Sequence, residues 1–304
     1  MRLALKVDVD TYRGTQEGIP ALLRLLDRHK SRATFLFSLG PDHTGRAIKR
    51  VFRPGFFSKV SRTSVVRLYG YKTLMYGTLL PGPDIGKRCA DVLRSVKSAG
   101  HEVGIHTWDH VRWQDGVEKA NASWTERELV KAIDRFAYIF GERAKTHGAA
   151  GWQMNDYAMH MTATMGFDYC SDSRGHSPFL PVVNDNVVRC PQIPTTLATL
   201  DESIGVGDVT EENVASFLLK RTAFEPSAPH VYTLHTEMEG MKLLPVFDAL
   251  LAGWKTQGYR LGSVRDVYDD LDIAKLPLHH MERGVLPGRS GTLMIQGSQV
   301  TLAA

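Results

Sequence analysis

Apolar residues along this chain fall into short β-branched runs, separated by stretches with helical spacing. LALKVDVD (residues 3–10) reads as a buried strand. Pro20 then opens PALLRLLDRH, which places Leu22, Leu25 and Leu26 on one helical face. ATFLFSLG (33–40) reads as the next strand, and this βαβ opening favours a parallel sheet. An amphipathic helix is predicted over 85–99, closed by Gly100, followed by the strand HEVGIHTW. Thr125 and Glu128 have capping-box spacing ahead of a helix over about 126–140. Another helix, about 156–165, ends at Gly166. FDYCSDS, NVVRCPQI and HVYTLHT read as strands, and helices near 211–222 and 241–257 flank the last of these. YRLGSV follows Gly258, and a short helix runs to about Leu271.

This alternation persists to residue 272 without a linker, which fits one α/β domain, a (β/α) barrel, better than two. Residues 273–304, rich in Gly, Pro and Ser, read as an irregular tail. With 304 residues, 43% of them hydrophobic, the chain can bury a large core, and 23% charged residues exclude wholesale disorder. Cys89, Cys170 and Cys190 have no CxxC spacing, so neither a disulfide framework nor a cysteine zinc site is expected, and a reducing compartment is favoured. The N-terminus opens directly into a strand, and no apolar run approaches the roughly 20 residues needed to span a bilayer. The expectation is a cytoplasmic protein.

Candidate chemistry gathers at strand ends. KVDVDT (6–11), HTWDH (106–110) and TLHTE (233–237) each close an apolar run. In HTWDH, His106 and His110 are four apart; on a helical turn they share a face and can bind one metal ion. Isolated, the pair would read as two solvated loop histidines. Asp8 and Asp10 end the first strand, where barrel enzymes place their chemistry and where burial demands a partner or a metal. Two imidazoles and one carboxylate leave metal positions open for water and substrate. His235 reads either as a core histidine satisfied by a carbonyl or, beside a metal, as a general acid. Glu237 and Glu239 follow it, as solvated loop charges or as partners of a developing ammonium.

The order Asp-x-Asp, HxxxH, LxLH resembles the polysaccharide deacetylases, the NodB-homology or carbohydrate esterase 4 group, over roughly residues 1–270. The resemblance implies a distorted (β/α) barrel and hydrolysis of an N-acyl amino sugar with one divalent metal. It makes Asp8 the general base, Asp10, His106 and His110 the metal ligands, and His235 the general acid. Zn, Mn, Co and Ni all tolerate that ligand set. Many members carry an arginine that orients the base; the matching stretch here, THGAAGWQMN (146–155), has none. Arg174 in SDSRG is a candidate to restrain Asp8 instead, or a surface arginine. KVDVDT, HTWDHVRWQD, AAGWQMN, YCSDSRG and LHTEMEG together resemble a deformylase branch acting on formamido-arabinose carried by undecaprenyl phosphate, in lipid A modification and polymyxin resistance. That resemblance adds Trp152, Asn155, Arg174, Glu237 and Glu239 as supporting or substrate-binding candidates. It also sets a lipid-linked sugar as the partner. Deacetylation of another amino sugar or a soluble polysaccharide is the runner-up.

Charge adds one feature. Of the net +4, residues 44–83 contribute eight cations (Arg46, Lys49, Arg50, Arg53, Lys59, Arg62, Arg67, Lys72) and no acid, so the remainder sums to −4. Aromatic and apolar residues interleave them, among them Phe52, Phe56, Phe57, Tyr69, Tyr71 and Leu79. A solvated barrel insertion and a nucleic-acid surface are possible readings. A lipid-carried substrate favours the cytoplasmic face of the inner membrane, where each Lys or Arg contributes about 1 kcal/mol. Two rival classes remain. A non-haem iron oxygenase would share the two-His, one-carboxylate set, and a pure binding module would need neither Asp8 nor His235.

Overall fold

The structure, a computed structural model, describes residues 1–47 and 70–301. Its organising element is β1 (Arg2–Val9), in which every residue after Arg2 is buried. A parallel strand covered on both faces needs a nearly continuous apolar run, and its buried part LALKVDV supplies one with two charged exceptions, Lys6 and Asp8. β1 pairs in parallel with β2 (Thr34–Ser38) along Lys6–Val9 and with β8 (His230–His235) along Leu3–Asp8. β9 (Arg260–Gly262) pairs with Arg2–Ala4. Because β8 runs along the opposite edge, β9 and β2 share one edge of β1.

β3 (Glu102–Thr107), β4 (Thr146–His147) and β5 (Tyr169–Cys170) extend the sheet in the order β5-β4-β3-β2-β1-β8. Every pairing is parallel, so the chain returns through helices outside the sheet: Ile19–Arg28, Ala90–Ser98, Ala122–Phe140 and Leu244–Thr256. The fold is the expected distorted (β/α) barrel. The core lies between sheet and helices and includes Leu22, Phe35, Phe37, Phe136, Phe247 and Trp254.

Several local expectations are corrected. The helix over 85–99 is two pieces, Ile85–Arg88 and Ala90–Ser98, separated at Cys89 with φ −116° and ψ 14°. The helix Ala122–Phe140 is capped by Asn121, whose Oδ1 accepts from Trp124 N at 3.0 Å. Thr125 lies one turn inside and donates to Asn121 O, so Thr125 and Glu128 form no capping box. NVVRCPQI forms a regular strand, β7, only at Asn186–Val187. Pro191 lacks an N–H, and what remains of the run bonds β5 through Cys170 N to Pro191 O and Ile193 N to Cys170 O.

Residues 273–301, the described part of the expected irregular tail, carry regular strands. β10 (Leu278–Gly284) and β11 (Leu293–Val300) pair antiparallel, and β6 (Leu180–Val183) joins β10 to give a second sheet, β11-β10-β6-β7. This sheet is fastened beside the barrel mouth. Arg174 N donates to Met294 O, Gln296 N donates to Arg174 O, and Arg283 donates to Gln153 Oε1 and Met154 O.

One core contact carries a pH prediction. Ala33 N donates to His101 Nδ1 at 3.2 Å, which requires a neutral acceptor nitrogen, and burial lowers the ring to about 4 from 6.5. The folded state therefore binds this proton less readily than the unfolded chain. Its contribution is complete above 6.5 and is lost as pH falls from 6.5 through 4. A His101→Gln variant keeps an acceptor without the titration. Its thermal midpoint should fall less steeply than wild type's across that window, and equal slopes would show that His101 contributes nothing.

Candidate active site

Strand register builds the site. Asp8 and His235 are paired positions across β1 and β8, so the two side chains leave the sheet together. Asp10 follows just beyond β1, and His106, next to last in β3 two strands away, is only 1% exposed. His110 is the first residue of the helix His110–Gly116. The two histidines therefore do not share a helical turn as expected. Asp109 separates them in extended conformation (φ −133°, ψ 109°) and caps the helix by accepting from Arg112 N at 3.0 Å. The turn from strand to helix still brings the imidazole centroids within 5.3 Å.

Asp10 lies between them. Its Oδ1 is 3.3 Å from His106 Nε2 and its Oδ2 is 3.4 Å from His110 Nε2. His106 Nδ1 donates to Gly148 O at 2.6 Å. With Nδ1 so engaged, a neutral ring turns its Nε2 lone pair toward a carboxylate oxygen, and two acceptors face each other at 3.3 Å. Such a contact requires a cation between them or a proton on the ring. Asp10 Oδ1 and Asp8 Oδ1 are also buried without a hydrogen-bond partner. Asp10, His106 and His110 each offer one ligand atom within 4.8 Å of the others. A metal fits this donor set, with the Gly148 carbonyl fixing the His106 tautomer. Burial alone would raise the Asp10 carboxyl, but the His110 and His106 rings override it and hold it well below the ordinary range.

The cation beside Asp8 is Lys6. Two residues apart on a strand, Lys6 and Asp8 project on one face. Lys6 is fully buried, with Nζ 3.7 Å from Asp8 Oδ2, donating to Ser171 O at 3.1 Å. Burial pulls its ammonium below the ordinary lysine range, opposed by the charges of Asp8 and Asp172. Arg174, expected as a restraint on Asp8 or a surface residue, is neither. It is buried, with Nη1 bonded to both Glu202 oxygens at 2.6 and 2.7 Å and Nη2 to Leu197 O at 2.8 Å.

On the β8 side, His235 Nδ1 is buried without a partner. Burial lowers the His235 ring, but the charges of Asp201, Asp10 and Asp8 outweigh it and raise it above the ordinary imidazole range. Glu237 and Glu239 are not solvated; both are buried and spent on scaffolding. Glu239 accepts from His235 N and the Tyr232 hydroxyl, each at 2.9 Å. Glu237 Oε1 accepts from Thr11 N at 2.8 Å and the Thr11 hydroxyl at 2.6 Å, tying the ends of β1 and β8 together. Burial first, then the charge of Asp10, pushes the Glu237 carboxyl up to about 7. Asn155 is also structural. It caps Asp156–Thr164 by accepting from Ala158 N, and its amide donates to Val117 O, Ala120 O and Thr125 Oγ1.

Asp8, Asp10, His106, His110 and His235 line one pocket, with Trp152 in its wall. Its volume is about 110 Å³. At roughly 10–15 Å³ per water-sized group, that accommodates about one sugar ring. Gln114, Gly151, Asp201, Met238 and Arg289 complete the lining and were not anticipated. Lys6 had a legible signal, a charge two residues before Asp8 inside an apolar run. Arg289 had none, because it reaches the pocket through the second sheet.

The polysaccharide deacetylase family model matches residues 3–170, which carry Asp8, Asp10, His106 and His110. The chain belongs to the polysaccharide deacetylase family. It is 36% identical over 299 residues to a Shewanella sediminis protein named probable 4-deoxy-4-formamido-L-arabinose-phosphoundecaprenol deformylase, covering 98% of this chain and 96% of that one. A protein of the same name from Wigglesworthia glossinidia brevipalpis is 31% identical, with 93% and 98% covered. Among solved structures, a Mycobacterium smegmatis protein named for the polysaccharide deacetylases superposes with TM-score 0.63 at 16% identity, over 94% of each chain. A probable polysaccharide deacetylase from Pseudomonas aeruginosa PAO1 gives 0.58 at 12% identity, over 88% and 89%. These two establish likeness of fold.

Proposed function

We propose that this protein hydrolyses the formamide of 4-deoxy-4-formamido-L-arabinose carried on undecaprenyl phosphate, releasing formate and the free amine. The observation that carries the chemistry is the pairing of Asp8 with His235 across β1 and β8, facing the Asp10–His106–His110 cluster in one pocket. The choice of substrate rests on the two relatives named as deformylases over nearly their whole length.

In this reading Asp10, His106 and His110 hold a divalent ion, one of Zn, Mn, Co or Ni. When bound, that ion polarises the amide oxygen and acidifies a water. Asp8 takes the proton from the water that attacks the formyl carbon. Lys6 keeps a positive charge against Asp8 and fixes the carboxylate in the pocket, the task expected of an arginine. As the C–N bond breaks, His235 gives its proton to the sugar nitrogen. Asp201, in the same pocket, favours the charged imidazole that makes this donation possible.

Access to a lipid-carried sugar calls for a membrane surface. Among the described residues no helix is long and apolar enough to cross a bilayer. Contact falls instead to the basic, aromatic stretch 44–83. Its cations Lys49, Arg50, Arg53, Lys59, Arg62 and Arg67 and its aromatics Phe52, Phe56, Phe57 and Tyr69 lie outside the described residues. At its described end, Tyr71 and Leu79 are 77% and 81% exposed. Exposed aromatic and apolar residues with flanking cations suit the lipid interface.

The test is to incubate the formamido lipid in anionic vesicles with the metal-loaded enzyme and follow the mass. Loss of the formyl mass and sedimentation with the vesicles are both expected. Preference for an N-acetyl analogue would overturn the substrate, and failure to sediment at low salt would overturn the membrane contact.

A further inference from the structure

Asp8, Asp10 and Asp201 line the pocket together with three histidines, and Arg289 is, among the described residues, the one Lys or Arg in the lining. It comes from the connection between β10 and β11, and its side chain is 12% exposed. Its guanidinium carbon lies 4.5 Å from the Trp152 ring centroid. Nη1 also reaches Glu202 Oε1 at 3.2 Å.

That carboxylate is already occupied. Glu202 takes both short bonds from Arg174 Nη1 and one from Thr199 N. Two guanidinium groups thus share one carboxylate, and the trio carries a net charge of +1. A mostly buried arginine that must share its counter-ion costs stability unless a further anion completes it. Its planar fork suits a pair of anionic oxygens such as those of a phosphodiester.

The proposed substrate carries the matching charge. Its formamide is neutral and reacts among the acids and histidines. Its single permanent negative charge is the phosphodiester, on the other side of one sugar ring, and the pocket holds about one ring. Building on the proposed deformylase reading, we propose that Arg289 binds the phosphodiester joining the sugar to its polyprenyl carrier. Arg289 then selects lipid-linked sugars over free or polymeric ones, while taking no part in bond breaking.

The experiment compares wild type, Arg289→Gln and Arg289→Lys on two substrates, the lipid-linked formamido sugar and its neutral methyl glycoside. Arg289→Gln should lose about 30-fold in kcat/KM on the phosphodiester, chiefly through KM, as expected for a charged hydrogen bond. Its rate on the neutral glycoside should stay within about twofold of wild type, and Arg289→Lys should recover part of the loss. Competitive inhibition by the deformylated lipid phosphodiester should weaken in parallel. Equal losses on both substrates, or inhibition unchanged by the substitution, would overturn the assignment and leave Arg289 as wall. Wild type that deformylates neither substrate would instead overturn the deformylase reading on which the assignment rests.

Discussion

His106→Ala should purify with little bound metal and with deformylation reduced by roughly three orders of magnitude. His106 donates from Nδ1 to the Gly148 carbonyl and presents Nε2 to the space it shares with Asp10 and His110. Removing one ligand of three leaves an incomplete set, and the several kcal/mol that an electrophilic ion supplies to the transition state are lost with it. Asp8→Asn is the informative partner. In the proposed reading Asp8 moves a proton and binds no metal, so this variant should keep about one ion per chain. Its turnover should nonetheless fall by about 10²–10⁴, the usual contribution of a general base. Elemental analysis beside a turnover assay separates the cases. Full metal occupancy and activity in His106→Ala would remove the metal assignment. Loss of metal in Asp8→Asn would move Asp8 into the ligand set.

The second large effect belongs to Lys6. Lys6→Met removes the buried ammonium 3.7 Å from the Asp8 carboxylate and leaves that carboxylate without its counter-charge. Breaking a buried pair from one side costs about 3–5 kcal/mol. Turnover should fall by about a hundredfold with KM little changed, because a base that wanders loses proton transfer rather than binding. The double variant Lys6→Met, Asp8→Asn removes both charges and should recover much of the stability lost in Lys6→Met alone. Chemical denaturation of the four proteins closes the cycle. Strictly additive losses would show that the two groups do not interact, and Lys6 would then be only a packing residue.

Much of this site is legible because strand ends are legible. An apolar run that stops at VDVD, IHT or TLH marks where a barrel strand meets its loop, and parallel strands put those ends on one rim. Residues acting across the fold are harder to read. Arg174 looked available for Asp8 because both lie near matched motifs, yet Glu202, 28 positions onward, claims it. Glu237 and Glu239 read as solvated charges or as partners of a developing ammonium because they follow a strand into a loop, but they are buried and occupied by Thr11, Tyr232 and the His235 backbone. The hairpin of β10 and β11 was hidden by its composition. Its polar strands lie beside a turn rich in Gly, Pro and Ser, and the pairing partner of β10 is Leu180–Val183, almost a hundred residues earlier. His110 escaped its predicted helical face because an aspartate two residues after a strand caps a new helix more readily than it continues an old one.

The place of β1 sets the order in which the molecule can be made. Its residues leave the ribosome long before those of β8 and β9, which pair with it and begin at His230 and Arg260. At about 5–20 residues per second, the strand bearing Lys6 and Asp8 waits more than ten seconds for its partner. During that interval an apolar ribbon with two charges is exposed at an open edge, where a chaperone or a wrong neighbour can take it. The same register that aligns the proton-transfer groups makes them late to meet, and a chain interrupted before β8 holds Asp8 without His235.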